Sequence, residues 1–243
     1  MFLYKFYLII FPNNLVKQIA KILRNKTYKK KNNKLNILDI GCYIGNFSKV
    51  LNAELKPLKC KKFFYLIDPN YNVVKNLNYL KFNYKFFNLA IDNSNKEKFF
   101  YLNNFFESSG SSLNKITVND ILWNLSRKIL TLNLFKNYSR YKVQCQSLDN
   151  FVKKNKIKKI DVLKFDTEGN ELNILQGAVK TLKYTSILYF EILSQKKLFN
   201  VKFKKINKFL NKYKFFLYKK KRIISVSIFS NLIAYDYVYL KNS

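Results

Sequence analysis

The residues best suited to chemistry lie in Asp161-Val162-Leu163-Lys164-Phe165-Asp166-Thr167-Glu168-Gly169-Asn170-Glu171, which holds four of the chain's 14 acids. The run opens as an apolar strand and ends at a helix entrance, and strand alternation puts Lys164 and Asp166 on one side. Asp166, Glu168 and Lys164 are therefore catalytic candidates: two acids and a lysine at a cleft can position a cation and take a proton from a hydroxyl. The blander reading, dipole compensation at a helix start plus a surface ion pair, accounts less well for this much charge at the end of a buried strand. Glu191, closing Tyr189-Phe190-Glu191, is a further carboxylate of the same kind. Histidine is absent from the chain, which removes His triads, imidazole metal sites and His proton shuttles.

Two other strand ends carry ligand-binding features. Asp39-Ile40-Gly41-Cys42-Tyr43-Ile44-Gly45 has glycines at G-x-x-x-G, which permit a tight turn and close backbone approach at the start of a helix. The spacing lacks the third glycine of a dinucleotide cradle, and the acid before Gly41 suits a cationic ligand better than a diphosphate. Asp68 closes the next apolar run, where a carboxylate can take both hydroxyls of a ribose; an acid at a helix start is the alternative.

The elements that must position these residues alternate in type. Strand-like runs fall at 35–40, 63–67, 84–91, 98–102, 141–147, 160–166 and 185–192, with two more at 223–229 and 232–240. Helical spacing marks 14–23, the segment after Asn46 (a candidate cap), 73–80, 119–134, 148–154 with Ser147 as cap, 172–182 and about 195–212. Residues 107–113 read as a loop, which could fold over a ligand or merely connect. Strand–helix alternation implies a parallel sheet covered on both faces, and the strand-rich terminus implies an antiparallel edge. Ligands of such folds sit at the carboxyl ends of the strands.

Composition sets bounds on class and partners. At 243 residues with 48% apolar content, the chain can bury one sizeable core, divided here into an N-terminal helical, basic extension over 1–34 and a domain over 35–243. Lys and Arg number 46 against 14 acids, a net charge of +32. That suggests polyanions, yet Lys, Asn, Ile, Phe and Tyr all have A/T-rich codons, and only four of the cations are arginine, the better phosphate reader. Nucleic acid is therefore not the expected partner. Three cysteines without paired or metal-type spacing fit a reducing, cytoplasmic interior. The apolar opening to Phe11 is much shorter than the ~20 residues of a membrane span. It can pack on the domain or lie on a membrane surface beside the basic stretch that follows it.

The motifs together resemble the FkbM family of S-adenosylmethionine-dependent methyltransferases. The matching residues are Asp39-Ile40-Gly41 with Gly45-Asn46-Phe47-Ser48, Asp68-Pro69-Asn70, Asn88-Leu89-Ala90-Ile91-Asp92, Ser108 to Leu113, Ser147-Leu148-Asp149-Asn150-Phe151, and above all Ile160 to Glu171 with Leu175-Gln176-Gly177-Ala178. The resemblance implies an α/β, Rossmann-like class I methyltransferase with a mostly parallel seven-stranded sheet, helices on both faces and an antiparallel edge. It implies S-adenosylmethionine as cofactor and methyl transfer to a hydroxyl of a carbohydrate, glycoconjugate or secondary metabolite. By position, Asp39, Gly41, Tyr43 and Gly45 would line the methionine end, Asp68 would hold the ribose and Asn88 would lie near the adenine. Asp166 and Glu168 would face the sulfonium and the acceptor. Cys42-Tyr43 stands where the family has smaller or amide residues, and Asp68 replaces a more usual Glu. Two carboxylates beside a loop do not specify a metal, and none is expected.

Overall fold

In the computed structural model, which describes residues 14–27, 34–104, 110–115, 125, 138–223 and 231–242, the apolar runs become the centre of a sheet. The strands are β1 (Leu35–Ile40), β2 (Lys62–Ile67), β3 (Tyr84–Phe87), β4 (Ala90–Asp92), β5 (Glu97–Asn103), β6 (Tyr138–Ser147), β7 (Ile160–Phe165), β8 (Thr185–Gln195), β9 (Phe215–Ile223) and β10 (Leu232–Lys241). Seven of them form one sheet in the order β3-β2-β1-β7-β8-β10-β9. The first five of that order run parallel, and β10 is antiparallel to both its neighbours. This is the expected Rossmann-like sheet with its antiparallel edge. Strand order reverses between β1 and β7, so a crevice opens where their carboxyl ends part.

Helices cover both faces because β1, β7 and β8 are buried on both. On one face lie α1 (Asn14–Thr27), α2 (Asn46–Glu54) and α3 (Val74–Leu77). Leu15, Val16 and Ile19 of α1 share a core with Ile37, Val162 and Ile187. On the other face lie α4 (Leu148–Lys154), α5 (Glu171–Gln176) and α6 (Phe199–Lys212), packed on an aromatic seam. There Phe165 stacks on Phe190 at 4.6 Å between centroids, and Phe203 stacks on Tyr237 at 5.2 Å.

Several elements differ from the pattern in the sequence. The run 84–91 divides at Asn88, whose amide donates to the carbonyls of Asp68 and Pro69. Beyond that tether the chain leaves the main sheet, and β4 joins a second sheet of order β4-β6-β5. The helix over 172–182 stops at Gln176 because Gly177 lies against β4: a Cβ there would sit 2.3 Å from the Asp92 carbonyl oxygen. Gly45, at φ 75°, caps α2 in place of Asn46, whereas Ser147 does cap α4 by accepting from the Asn150 amide. The expected helix over 73–80 is only a short 3₁₀ turn followed by α3. The outermost strand is Phe215–Ile223; the expected strand over 223–229 beyond Ile223, the helix over 119–134 apart from Leu125, and the apolar N-terminal opening lie outside the described residues.

Candidate active site

Gly41, the first residue past β1, is at φ 66°, and its backbone presses against the end of β7: a Cβ there would lie 1.9 Å from the Asp166 carbonyl oxygen. The contact is held by Lys164, which is 5% exposed. Its Nζ lies 3.0 Å from Asp39 Oδ1 and donates to the Gly41 carbonyl at 2.7 Å. Ser48 of α2 donates to the other Asp39 oxygen at 2.7 Å. One buried ion pair thus ties β1, β7 and α2 together beneath the crevice. Burial alone lowers the proton affinity of Lys164, but Asp39 and Asp166 more than offset it, so the ammonium is held above its ordinary value.

Asp68 ends β2 on the crevice rim. Its oxygens accept the backbone N–H of Tyr43 and of Asn70, each at 2.9 Å. Tyr43 adopts φ 48°, a left-handed conformation that side chains disfavour, and this orients its N–H at the carboxylate. Burial raises the Asp68 pKa to about 6, only partly countered by the two amides and by Lys164.

The acids gather past the carboxyl end of β7, along β8 and on the facing stretch of antiparallel β10. Asp166 follows β7, Glu191 lies on β8, and Asp236 of β10 is directly opposite Glu191. With Glu168, at φ 54° in the loop after β7, they form a dense negative group. Asp166, Glu168 and Glu191 each offer an oxygen within 4.8 Å of the others, an arrangement able to hold a cation, although three carboxylates do not by themselves demand a metal. Burial, then the charges of Asp166, Glu168 and Asp236, push Glu191 well above the ordinary carboxylate range. Burial and Asp166 take Asp236 to about 7.

The loop bearing Glu168 is fixed from three sides. Ser112 Oγ lies 2.8 Å and 3.0 Å from the carbonyl oxygens of Thr167 and Glu168. Asn170 donates to the Ile91 carbonyl and to Asp92. Glu171, fully buried, accepts from the Gly169 amide and pairs at 2.7 Å with Lys202 of α6. The described part of the serine-rich loop, Gly110 to Leu113, therefore packs over the crevice.

These elements enclose a cavity of about 780 Å³ at the carboxyl ends of the strands. Gly41, Tyr43, Asp68, Lys164, Asp166 and Glu168 line it. Asp39 and Gly45 are behind its wall, and Asn88 borders a second, smaller cavity on the far side of Pro69. Asp236 and Lys202 were not singled out in the sequence, and Ser112 was named only as part of the serine-rich loop. An acid inside the apolar run 232–240 was a readable signal for Asp236, but nothing separates Lys202 from the other lysines of α6.

The cavity suits S-adenosylmethionine on three observations. Its size falls within the roughly 300–1,000 Å³ of small-molecule sites. The desolvated Asp68 carboxylate favours donors such as ribose hydroxyls, and Leu89, Ala90 and Ile91 supply an apolar wall. Thr167 Oγ1, on the cavity wall, is buried with no hydrogen-bond partner among the described residues, a polar atom awaiting a ligand group.

Comparison with known proteins follows the same line. The methyltransferase FkbM domain model matches residues 39–217. No curated protein matches the chain in sequence. Among solved structures, methyltransferase FkbM from Methylobacillus flagellatus KT is 12% identical with a TM-score of 0.47, covering 86% of this chain and 44% of that one. This chain thus spans less than half the length of that protein. TrmK from M. capricolum, solved with S-adenosyl-homocysteine, is 14% identical with a TM-score of 0.47, covering 94% and 68%. The plantazolicin methyltransferase BpumL, solved with a monoazolic desmethylPZN analog and SAH, is 12% identical with a TM-score of 0.46, covering 96% and 86%. With the family model spanning most of its length, the chain belongs to the FkbM methyltransferase family and uses S-adenosylmethionine as its methyl donor.

Proposed function

We propose that the chain methylates a hydroxyl of a carbohydrate, glycoconjugate or secondary metabolite. The observation that carries this reading is the group of carboxylates, Asp166, Glu168 and Glu191, on the wall of the cavity that Asp68 also lines. Bound S-adenosylmethionine supplies an activated methyl carbon, so the protein has only to align the acceptor and receive its proton. A hydroxyl needs a base, and a carboxylate whose proton affinity is raised by burial and neighbouring acids serves better than an ordinary one. Glu191 is assigned that role, with Asp166 and Glu168 orienting the acceptor and offsetting positive charge. Lys164 holds its proton too firmly to act as base and instead positions the Gly41 turn. Asp68 takes the ribose, and Tyr43 aims it through its backbone amide.

A polyphosphate acceptor is disfavoured by the same carboxylates, which repel it at the point of transfer. The reading is tested by screening sugars and glycoconjugates for methyl transfer with wild type and Glu191→Gln. Loss of about 10²–10⁴-fold in turnover, with S-adenosylmethionine affinity unchanged within about twofold, is the expected outcome. Equal turnover by the variant would remove Glu191 from the role.

Asp68 also sets a pH dependence. Ribose hydroxyls donate to the ionised carboxylate, so S-adenosylmethionine binding is level above about pH 7 and weakens as pH falls through about 6. The ligand-free protein responds in the opposite sense. The folded pKa is about 6 against 3.8 for the free side chain, so the native state binds more protons between those values, and this group's contribution to stability rises as pH falls across that window. Calorimetric titration at several pH values checks the first trend, and Asp68→Asn should flatten it.

A further inference from the structure

We propose that the α6–β9 face is a docking surface for an anionic lipid bilayer. From Ile192 to Tyr235 the chain carries twelve Lys and Arg residues and no Asp or Glu. The structure places the described residues of this segment at one end of the main sheet, where β9 pairs only with β10 and has no strand on its outer side among the described residues. Along α6 the exposed lysines Lys204, Lys208 and Lys212 recur every four residues. Like charges at that spacing repel and weaken the helix, so the column costs stability that an anionic surface would return.

Lysines on an edge strand have an ordinary use, since they discourage pairing with other chains. That use does not explain what stands beside them. Phe216, Leu217 and Tyr218 of β9 are 41%, 36% and 46% exposed, three consecutive apolar side chains on an edge that charge is supposed to protect. Strand alternation puts these side chains, like those of Lys219 and Lys220 beside them, on both sides of the uncovered edge. Presented edge-on, β9 therefore offers the apolar-plus-basic pairing that suits an interface: rings and aliphatic groups enter the headgroup region while long ammonium stems reach the phosphates.

Two features favour lipid over nucleic acid as the occupant. Eleven of the twelve cations are lysine, whereas bidentate phosphate recognition favours arginine. The same strand continues through Lys221 and Arg222 to the cavity rim, and the wall beyond bears Asp166, Glu191 and Asp236. A polyanion led along β9 would meet those acids; a bilayer stays outside and leaves the cavity mouth beside its surface. The inference stands on this surface and is independent of which acceptor is methylated.

Co-sedimentation of the full chain with phosphatidylcholine vesicles, with and without phosphatidylglycerol, tests it at physiological salt. Binding should require the anionic lipid. Lys219→Gln with Lys220→Gln should weaken it about 25-fold, at about fivefold per lysine. The triple change Phe216→Ser, Leu217→Ser and Tyr218→Ser, its folding verified by circular dichroism, should weaken it by at least about tenfold. Lys153→Gln with Lys154→Gln, an equal loss of exposed charge on α4, whose Phe151 packs on Phe87 of the opposite edge strand β3, should leave it within about threefold. Equal losses in the two lysine pairs would overturn the proposal by showing diffuse charge alone. No vesicle binding, with single-stranded RNA bound tightly and lost in the β9 variants, would overturn it by assigning the face to nucleic acid.

Discussion

Lys164→Met is expected to destabilise the protein by about 3–5 kcal/mol, because it leaves the Asp39 carboxylate buried without its cation. Asp39 is fully buried and, among the described residues, keeps the Ser48 hydroxyl as its one side-chain donor. The Gly41 carbonyl loses its 2.7 Å donor at the same time, so the turn on the cavity floor loosens. Removing both charges, Asp39→Leu with Lys164→Met, should recover more than half of the loss, since two apolar groups of similar size need no desolvated partner. Urea unfolding of the two variants and wild type measures the difference. A single variant within about 1 kcal/mol of wild type would show that the ion pair does not hold the strand ends together.

Gly41→Ala is the second large effect. The new methyl would meet the Asp166 carbonyl oxygen at 1.9 Å, at a φ of +66° that alanine also resists. The obstacle is backbone in the middle of a sheet, so β1 and β7 must separate at their carboxyl ends. A loss of at least about 3 kcal/mol follows, together with loss of cofactor binding. Gly45→Ala provides the comparison. Its φ is similarly positive, but its Cβ would meet Leu80 Cδ1 at 2.9 Å, the end of a side chain that can move. About 1–2 kcal/mol is expected there. Thermal unfolding of both variants should rank them in that order, and equal losses would contradict the role given to the Asp166 contact.

The main sheet was legible because its central strands are unbroken apolar runs ending in polar residues, the signature of burial on both faces. β9 was not, because both its faces are largely exposed and Lys219 to Arg222 erase any alternation. The split between β3 and β4 was hidden for another reason: it depends on the Asn88 tether to the β2 loop, a contact between residues about twenty positions apart. At the site, Asp68, Asp166 and Glu168 could be named because each ends a strand or opens a helix. Asp39 and Gly45 sit at equally suggestive positions but lie behind the cavity wall, and only the packing of α2 on β1 decides that. The pairing of Asp236 with Glu191 required the antiparallel register of β10, which no local pattern specifies.

The central claim is that the crevice at the ends of β1, β2 and β7 holds S-adenosylmethionine through Asp68. Isothermal titration calorimetry of wild type and Asp68→Ala, in moderate salt to suppress diffuse charge effects, tests it most directly. Micromolar binding by wild type, weakened about 10–100-fold in the variant while circular dichroism shows it folded, is the predicted result. Folded wild type that binds no cofactor, or a folded variant that binds it as tightly as wild type, would contradict the account.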